Sequence, residues 1–351
     1  MIQWDDQDIR DVDVKNVLSS LGKGVGAKGN YIKLVQDKFS NLLNVKHCIL
    51  TANGTASIIA AAFALRKKYK IKNIAVPSFS FIASANAAKF AGLNVHLIDC
   101  DINTWNINLE NIPSNIDAIM SVDVGGLPVN YDNLKKTKLP ILADSAESMG
   151  SFYKGQLVGS QADIHTFSFQ RSKIITSGEG GMIATNNDEL ADLCRSFINH
   201  GYSSNKKSYE YIHTNFGLNF RMCDAEAALL YSQIDRIPDY VKRRNEIASK
   251  YKRVLNKYAT QHIPEYSLSN YFFFGILCNP YKRNKLADYL LKNNISVKCW
   301  TSIHQQKQWT ARKLLPNSTH ISQSNILLPI HNKVTDLDVE YIIQTIRSFD
   351  D

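Results

Sequence analysis

The chain has 351 residues, 44% of them apolar and 21% charged, the balance of an ordinary soluble globular protein with room for one large core and a smaller one. Its formal charge of +9 admits an acidic partner such as a nucleotide diphosphate, but the basic residues are scattered, their short groups at 66–68 and 242–244 fall on helical patterns, and nothing resembles a nucleic-acid module. No charged-then-apolar leader is present and no apolar run approaches the roughly 20 residues that span a bilayer, so a cytoplasmic protein without membrane contact is expected.

The six cysteines, at 48, 100, 194, 223, 278 and 299, form no C-x-x-C pair and no His/Cys cluster, which predicts neither a metal site nor a disulfide framework. In chain order, the first 50 residues predict a helix over 12–21, a glycine-rich GKGVG at 22–26 and a second helix over about 30–43. The first stretch reads as an arm that packs elsewhere, on this chain or on another subunit. LTANGTAS at 50–57 then opens an Ala-rich helix that runs to about residue 69. A strand entering a helix through Asn53, Gly54 and Thr55 leaves unpaired N–H groups at the positive end of the helix dipole, a ready anion site. The same letters also fit a glycine turn with a plain cap.

From residue 74 short apolar runs alternate with helical patterns: strands at 74–76, 95–98, 118–122 and 141–143, with a helix over 83–90. Strands spaced by helices, without hairpin turns, predict a mostly parallel sheet covered on both faces, whose ligands bind at the carboxyl ends of the strands. Those ends carry PSFSF at 77–81, Asp99, Asp101, Asp123 and DSAE at 144–147. Asp144 directly follows an apolar run, where it can pair with a protonated ring nitrogen or cap the next helix. Phe79 and Phe81 alternate, so one can face the cleft.

The sequence is organised around ADIHTFSFQRSKIITSGEGGMIATNN at 162–187. It predicts a buried strand ending near Phe169, a tight loop at Gly178, Gly180 and Gly181, and a second strand over 182–185. Lys173 sits alone between them, either as a solvated loop lysine or desolvated enough to supply a neutral amine for Schiff-base chemistry. A helix over 188–200, a polar, tyrosine-rich loop at 201–213 and the segment GLNFRMCD at 217–224 follow. There Asn219 and Arg221 alternate with apolar residues and share one side of an extended stretch, to bind either loop backbone or ligand. A helix over 225–237 ends at Pro238. Beyond it, helices over 240–258, 284–293 and 335–349 and strands over 271–278, 295–299 and 326–330 suggest a separate α+β domain.

In this order the motifs resemble the DegT/DnrJ/EryC1/StrS family of sugar aminotransferases across nearly the whole chain. NGTA at 53–56, PSFSF at 77–81, DSAESMG at 144–150, SFQRSK at 168–173, GEGG at 178–181 and GLNFR at 217–221 carry the resemblance. It implies a three-layer α/β/α fold of the pyridoxal-phosphate transferase type I, with a large domain over 1–237 and a smaller α+β domain over 238–351. It implies pyridoxal 5'-phosphate held by Lys173 as an internal aldimine, with Lys173 then moving the proton between cofactor and substrate. Asp144 would keep the ring nitrogen protonated, Gly54, Thr55 and Ser168 would hold the phosphate, and Phe81 would stack on the ring. Asn219 would reach the phosphate of a neighbouring subunit, making a homodimer with shared sites.

Two letters depart from the family pattern. Gln170 stands where a histidine is usual, and Glu147 where a glutamine commonly meets the phenolic oxygen of the cofactor; a carboxylate there repels a phenolate unless one of them is protonated. The implied activity is transfer of an amino group from glutamate to a nucleotide-linked keto-deoxy sugar, as in O-antigen or glycan biosynthesis. The alternatives are a keto-inositol aminotransferase of aminoglycoside type and a non-catalytic binding or regulatory protein of the same fold. Contacts to the sugar are expected in the 201–213 loop, around 300–308 and near His331.

Overall fold

A computed structural model describes every residue except 23–25, 27–28, 111, 203–209, 310–313 and 351. The middle of the glycine-rich arm and most of the loop expected at 201–213 therefore lie outside the described residues. Two helices, α1 (Asp11–Leu21) and α2 (Asn30–Leu43), precede β1 (His47–Thr51), α3 (Gly54–Tyr69), β2 (Asn73–Pro77), α4 (Ile82–Phe90), β3 (Asn94–Ile98), β4 (Ala118–Val122), α5 (Tyr131–Lys136) and β5 (Ile141–Asp144). The short β6 (Phe152–Tyr153) and β7 (Gln156–Leu157) pair as a hairpin, and β8 (Ile164–Ser168), β9 (Gly181–Thr185), α6 (Asp188–Phe197) and α7 (Asp224–Tyr231) follow.

The main sheet has seven strands in the order β1-β9-β8-β5-β4-β2-β3. Pairing is parallel from β8 to β3, and β9 runs antiparallel between β1 and β8, so every strand but β9 points the same way. Alternate residues feed opposite layers. Ile49, Ile74, Val76, Met120, Leu142 and Ile183 pack on the small-residue faces of α3, α4 and α6. On the other face Leu50, Met182 and Ala184 meet α2 and α7, and Ala75, Ile119 and Ala143 meet α5. This is the expected three-layer α/β/α arrangement.

After α7 the expected single helix over 225–237 is broken by the short turn Ile234–Arg236, and α8 (Ile237–Val254) starts at Ile237 with Pro238 in its first turn. Proline lacks a donor that this position does not need, so here it begins a helix instead of ending one. The remainder comprises β10 (Ala259–Thr260), β11 (Ser267–Leu268), β12 (Phe274–Leu277), α9 (Pro280–Lys292), α10 (Pro316–Ser324), β13 (Asn325–Leu328) and α11 (Asp336–Asp350). The strand expected over 295–299 is instead two isolated bridges, Ile295 to Ile2 and Lys298 to Leu327. The helix over 188–200 stops at Phe197, and α10, rich in serine and polar, was not legible as a helix.

A core from Ile247 to Ile346 closes between α8, α9, α11, β12 and β13, and Ile2 packs against it. We propose that the domains divide at 237/238, with this core as the support.

Candidate active site

The site is built where the parallel strands end, because each apolar run stops there and hands over to polar residues. Asp144 closes β5, and its carboxylate accepts Ser84 Oγ–H at 2.7 Å and Ala146 N–H at 3.2 Å. Ser84 lies one turn into α4, so the acid is held by the helix that follows β2. Asp144 is 5% exposed, and burial pushes its carboxyl up while the Ser84 bond opposes this.

Lys173 follows β8 by a turn in which its N–H donates to the Gln170 carbonyl at 2.8 Å. Gln170 Oε1 accepts Ser172 N–H at 2.8 Å and Ser172 Oγ–H at 2.7 Å, so this residue braces the loop from within. Further on, buried Gln233 brackets Thr176, accepting its N–H at 3.0 Å and donating to its carbonyl at 2.8 Å. The Lys173 side chain is 15% exposed. Its Nζ lies 4.3 Å from the centre of the Phe272 ring and 4.0 Å from Glu147 Oε1. Burial lowers its pKa, and Glu147 and Asp144 oppose that shift. The reading of a solvated loop lysine is thereby overturned in favour of a desolvated amine.

Glu147 Oε2 accepts Gly125 N–H at 2.8 Å, and burial raises its carboxyl to about 7, with Lys173 opposing. Beneath this loop lies a buried polar network. Asp123 accepts from Val129 N–H, Tyr131 O–H, Ser145 Oγ–H and Ser148 Oγ–H, all between 2.6 and 3.0 Å. Ser145 in turn sits 2.9 Å from His165 Nδ1, while His165 Nε2 accepts Gln161 and Ala162 N–H at 3.1 and 3.0 Å. That pattern fixes a neutral ring with the proton on Nδ1. The strand-end acids thus have different roles: Asp123 anchors the 145–148 loop, and Asp99 accepts Asn317 and Ser318 N–H at the start of α10 at 3.0 and 2.7 Å.

At the far side of β8, Asn53 caps α3 by accepting Ala56 N–H at 2.8 Å. The Gly54 and Thr55 amides have no acceptor among the described residues, and Thr55 is exposed. A Cβ on Gly54 would stand 2.8 Å from Ser168 Cβ, so the glycine lets the helix start press against β8 and Ser168. Cap and open amides coexist, so the two sequence readings of this motif are compatible.

Of the two phenylalanines, Phe79 is the core residue at 1% exposure, while Phe81 is 63% exposed with its ring 6.5 Å from Trp300. Asn219 is exposed, on a segment bridged to Asn199. Arg221 is spent on structure, donating to Asn199 Oδ1 at 2.6 Å. His331 is 6% exposed and sits 3.1 Å from the Gln3 carbonyl, buried under the N-terminal residues. Sequence reading missed Ser84, Gly125 and Phe272. The Gly125-Gly126 pair after β4 was an available signal; Ser84 and Phe272 gave none.

Fold and centre together define an α/β protein that holds a mostly buried amine, flanked by two acids, at the carboxyl edge of its sheet. The model of the DegT/DnrJ/EryC1/StrS aminotransferase family matches residues 7–347, and the chain belongs to that family. It is similar to GDP-perosamine synthase of Escherichia coli O157:H7, 31% identical over 340 residues covering 93% of this chain and 92% of that protein. Among solved structures it is similar to Helicobacter pylori PseC, an aminotransferase of pseudoaminic acid biosynthesis, with a TM-score of 0.92, 25% identity, and coverage of 99% of this chain and 98% of that one. The PLP-form of the putative sugar aminotransferase Spr1654 from Streptococcus pneumoniae has the same fold, with a TM-score of 0.90 at 22% identity over 99% of this chain and 98% of that one. Among the described residues no helix is long and apolar enough to cross a membrane, and no group of three or more His, Cys, Asp or Glu could hold a metal.

Proposed function

We propose that the protein uses pyridoxal 5'-phosphate to move an amino group from glutamate to a nucleotide-linked keto-deoxy sugar. The observation that carries this is the desolvated Lys173 amine at the carboxyl edge of the sheet, with Asp144 and Glu147 beside it. The residues present fit the cofactor. The open amides of Gly54 and Thr55, with Ser168 against them, suit its phosphate. Buried Asp144 suits a protonated ring nitrogen, and exposed Phe81 offers a flat face. When bound, the cofactor supplies an aldehyde that condenses with amines and a ring that takes up an electron pair from carbon.

Around it, Lys173 Nζ takes and returns the proton at the substrate carbon that carries nitrogen. Asp144 keeps a proton on the ring nitrogen, and Ser84 keeps Asp144 aimed. Phe272 covers the amine and excludes water. We place Asn219 of a second copy at the phosphate, in a cytoplasmic homodimer with shared sites. Support comes from the exposure of Tyr211, Phe216 and Leu218 (83, 90 and 49%) beside it, apolar area that a second copy would cover. The perosamine and pseudoaminic acid relatives support the sugar-nucleotide substrate.

Incubation with labelled glutamate and a panel of keto-sugar nucleotides tests the reading, with label expected in one aminosugar product. Borohydride reduction of the loaded protein should leave a pyridoxyl adduct on Lys173. Transfer to free keto-inositols alone would replace the sugar-nucleotide substrate.

A further inference from the structure

An amine acts as a base only when neutral, so the proton of the Lys173 ammonium needs a destination. Glu147 Oε1 lies 4.0 Å from Lys173 Nζ, and its side chain is 6% exposed. Its other oxygen is pinned by the Gly125 amide, which leaves Oε1 turned toward the amine. Gly125 adopts φ +68°, and its carbonyl accepts Phe272 N–H at 3.1 Å. One residue therefore sets both the acid beside Lys173 and the ring against it. A Cβ at this position would meet Phe273 Cε2 at 2.8 Å and Gln261 Oε1 at 2.9 Å, so the frame has no room for a side chain.

From this geometry we infer that Glu147 is the proton-transfer partner of Lys173. When Nζ and Oε1 close from 4.0 Å to hydrogen-bond distance, directly or through one water, the Lys173 ammonium gives one proton to Glu147 Oε1: an N–H bond breaks, an O–H bond forms, and a neutral amine stands beside a neutral carboxylic acid. The reverse transfer restores the ion pair, and no proton is gained or lost. The inference rests on Lys173 being the reactive amine and adds the group that stores its proton.

Burial brings the two affinities together, raising the carboxyl to about 7 and lowering the ammonium. The charged groups facing Glu147 are Lys173, Asp144 and Asp123, the two acids adding to its rise. Asn270, which donates to the Glu147 carbonyl at 2.8 Å, and Phe272 are uncharged. A neutral Glu147 also removes the repulsion that a carboxylate would exert on the phenolic oxygen of the cofactor.

The cofactor-free protein provides a test without turnover. Glu147→Gln keeps the side-chain shape and an acceptor for Gly125 but cannot take the proton. Acetylation of Lys173, followed by mass spectrometry against pH, should rise in two steps in the wild type, the lower one near 7. The variant should show one step, at a pH below the upper wild-type step, because removing a neighbouring carboxylate lowers an ammonium pKa. With cofactor and substrates, E147Q should lack the limb near neutrality in the pH profile of kcat, with little change in KM.

Coincident labelling curves, or an unchanged pH profile, overturn the inference. If a thermal melt shows the variant unfolded, the wild-type curve decides alone, a single step counting against it. The reading of Lys173 fails separately, through a wild-type protein that yields no reducible adduct.

Discussion

Lys173 is held at a desolvation cost, its amine mostly buried with a ring on one side and an acid at 4.0 Å on the other. Replacing it by alanine should reduce transamination by roughly a thousandfold or more while the protein still binds the cofactor non-covalently, as visible absorbance after gel filtration would show. The buried His165 gives a second prediction, on stability. Burial lowers its pKa from 6.5 to about 3, so the unfolded chain takes up a proton that the folded protein refuses. Its contribution is present above 6.5 and is lost as pH falls through 3. His165→Ala should abolish that acid slope, up to about 1.4 kcal/mol per pH unit. At neutral pH it should cost about 2–4 kcal/mol, because the Gln161 and Ala162 amides lose their acceptor. Urea melts of both proteins across this pH range check both effects.

At the scale of elements, the start of α3 does two jobs through neighbouring residues. Asn53 caps the helix at its N-terminus, and Gly54 lets it approach β8 closely. Gly54→Ala puts a methyl group 2.8 Å from Ser168 Cβ, so one of the two elements must move. Cofactor affinity should fall about tenfold or more while the helix itself gains propensity, a split that equilibrium dialysis and circular dichroism would resolve. Apart from β1, which was expected without bounds, the main-sheet strands were legible to within a residue or two because their apolar runs are short and bounded by turn residues. The segment 295–299 was not, because alternation predicts an extended backbone without saying whether a neighbour is there to pair with it. Ile295 and Lys298 each find only a single bridge.

At the scale of the whole molecule, the shared-site proposal makes a prediction that a monomer cannot mimic. A Lys173→Ala protein and an Asn219→Asp protein, each inactive alone, should regain activity when dissociated and reassociated together. About a quarter of the wild-type rate is expected, since half the dimers are mixed and each carries one intact site. No recovery in mixtures shown by mass to contain heterodimers would place Asn219 outside the neighbouring site.

The letters alone determined the layered α/β architecture, the position of Lys173 beyond a strand end and of Asp144 at another, and the glycine that opens α3. These properties follow from local periodicity and from turn chemistry carried by adjacent residues. Tertiary structure decided which strand-end acid was available: Asp123 is spent on four donor groups and Asp99 on a helix start, while Asp144 and Glu147 remain beside the lysine. It also supplied Ser84, Gly125 and Phe272, whose contacts with the centre span long stretches of chain. Desolvation and hydrogen-bond satisfaction depend on what the fold brings near a group, and no reading of its sequence neighbours can provide that.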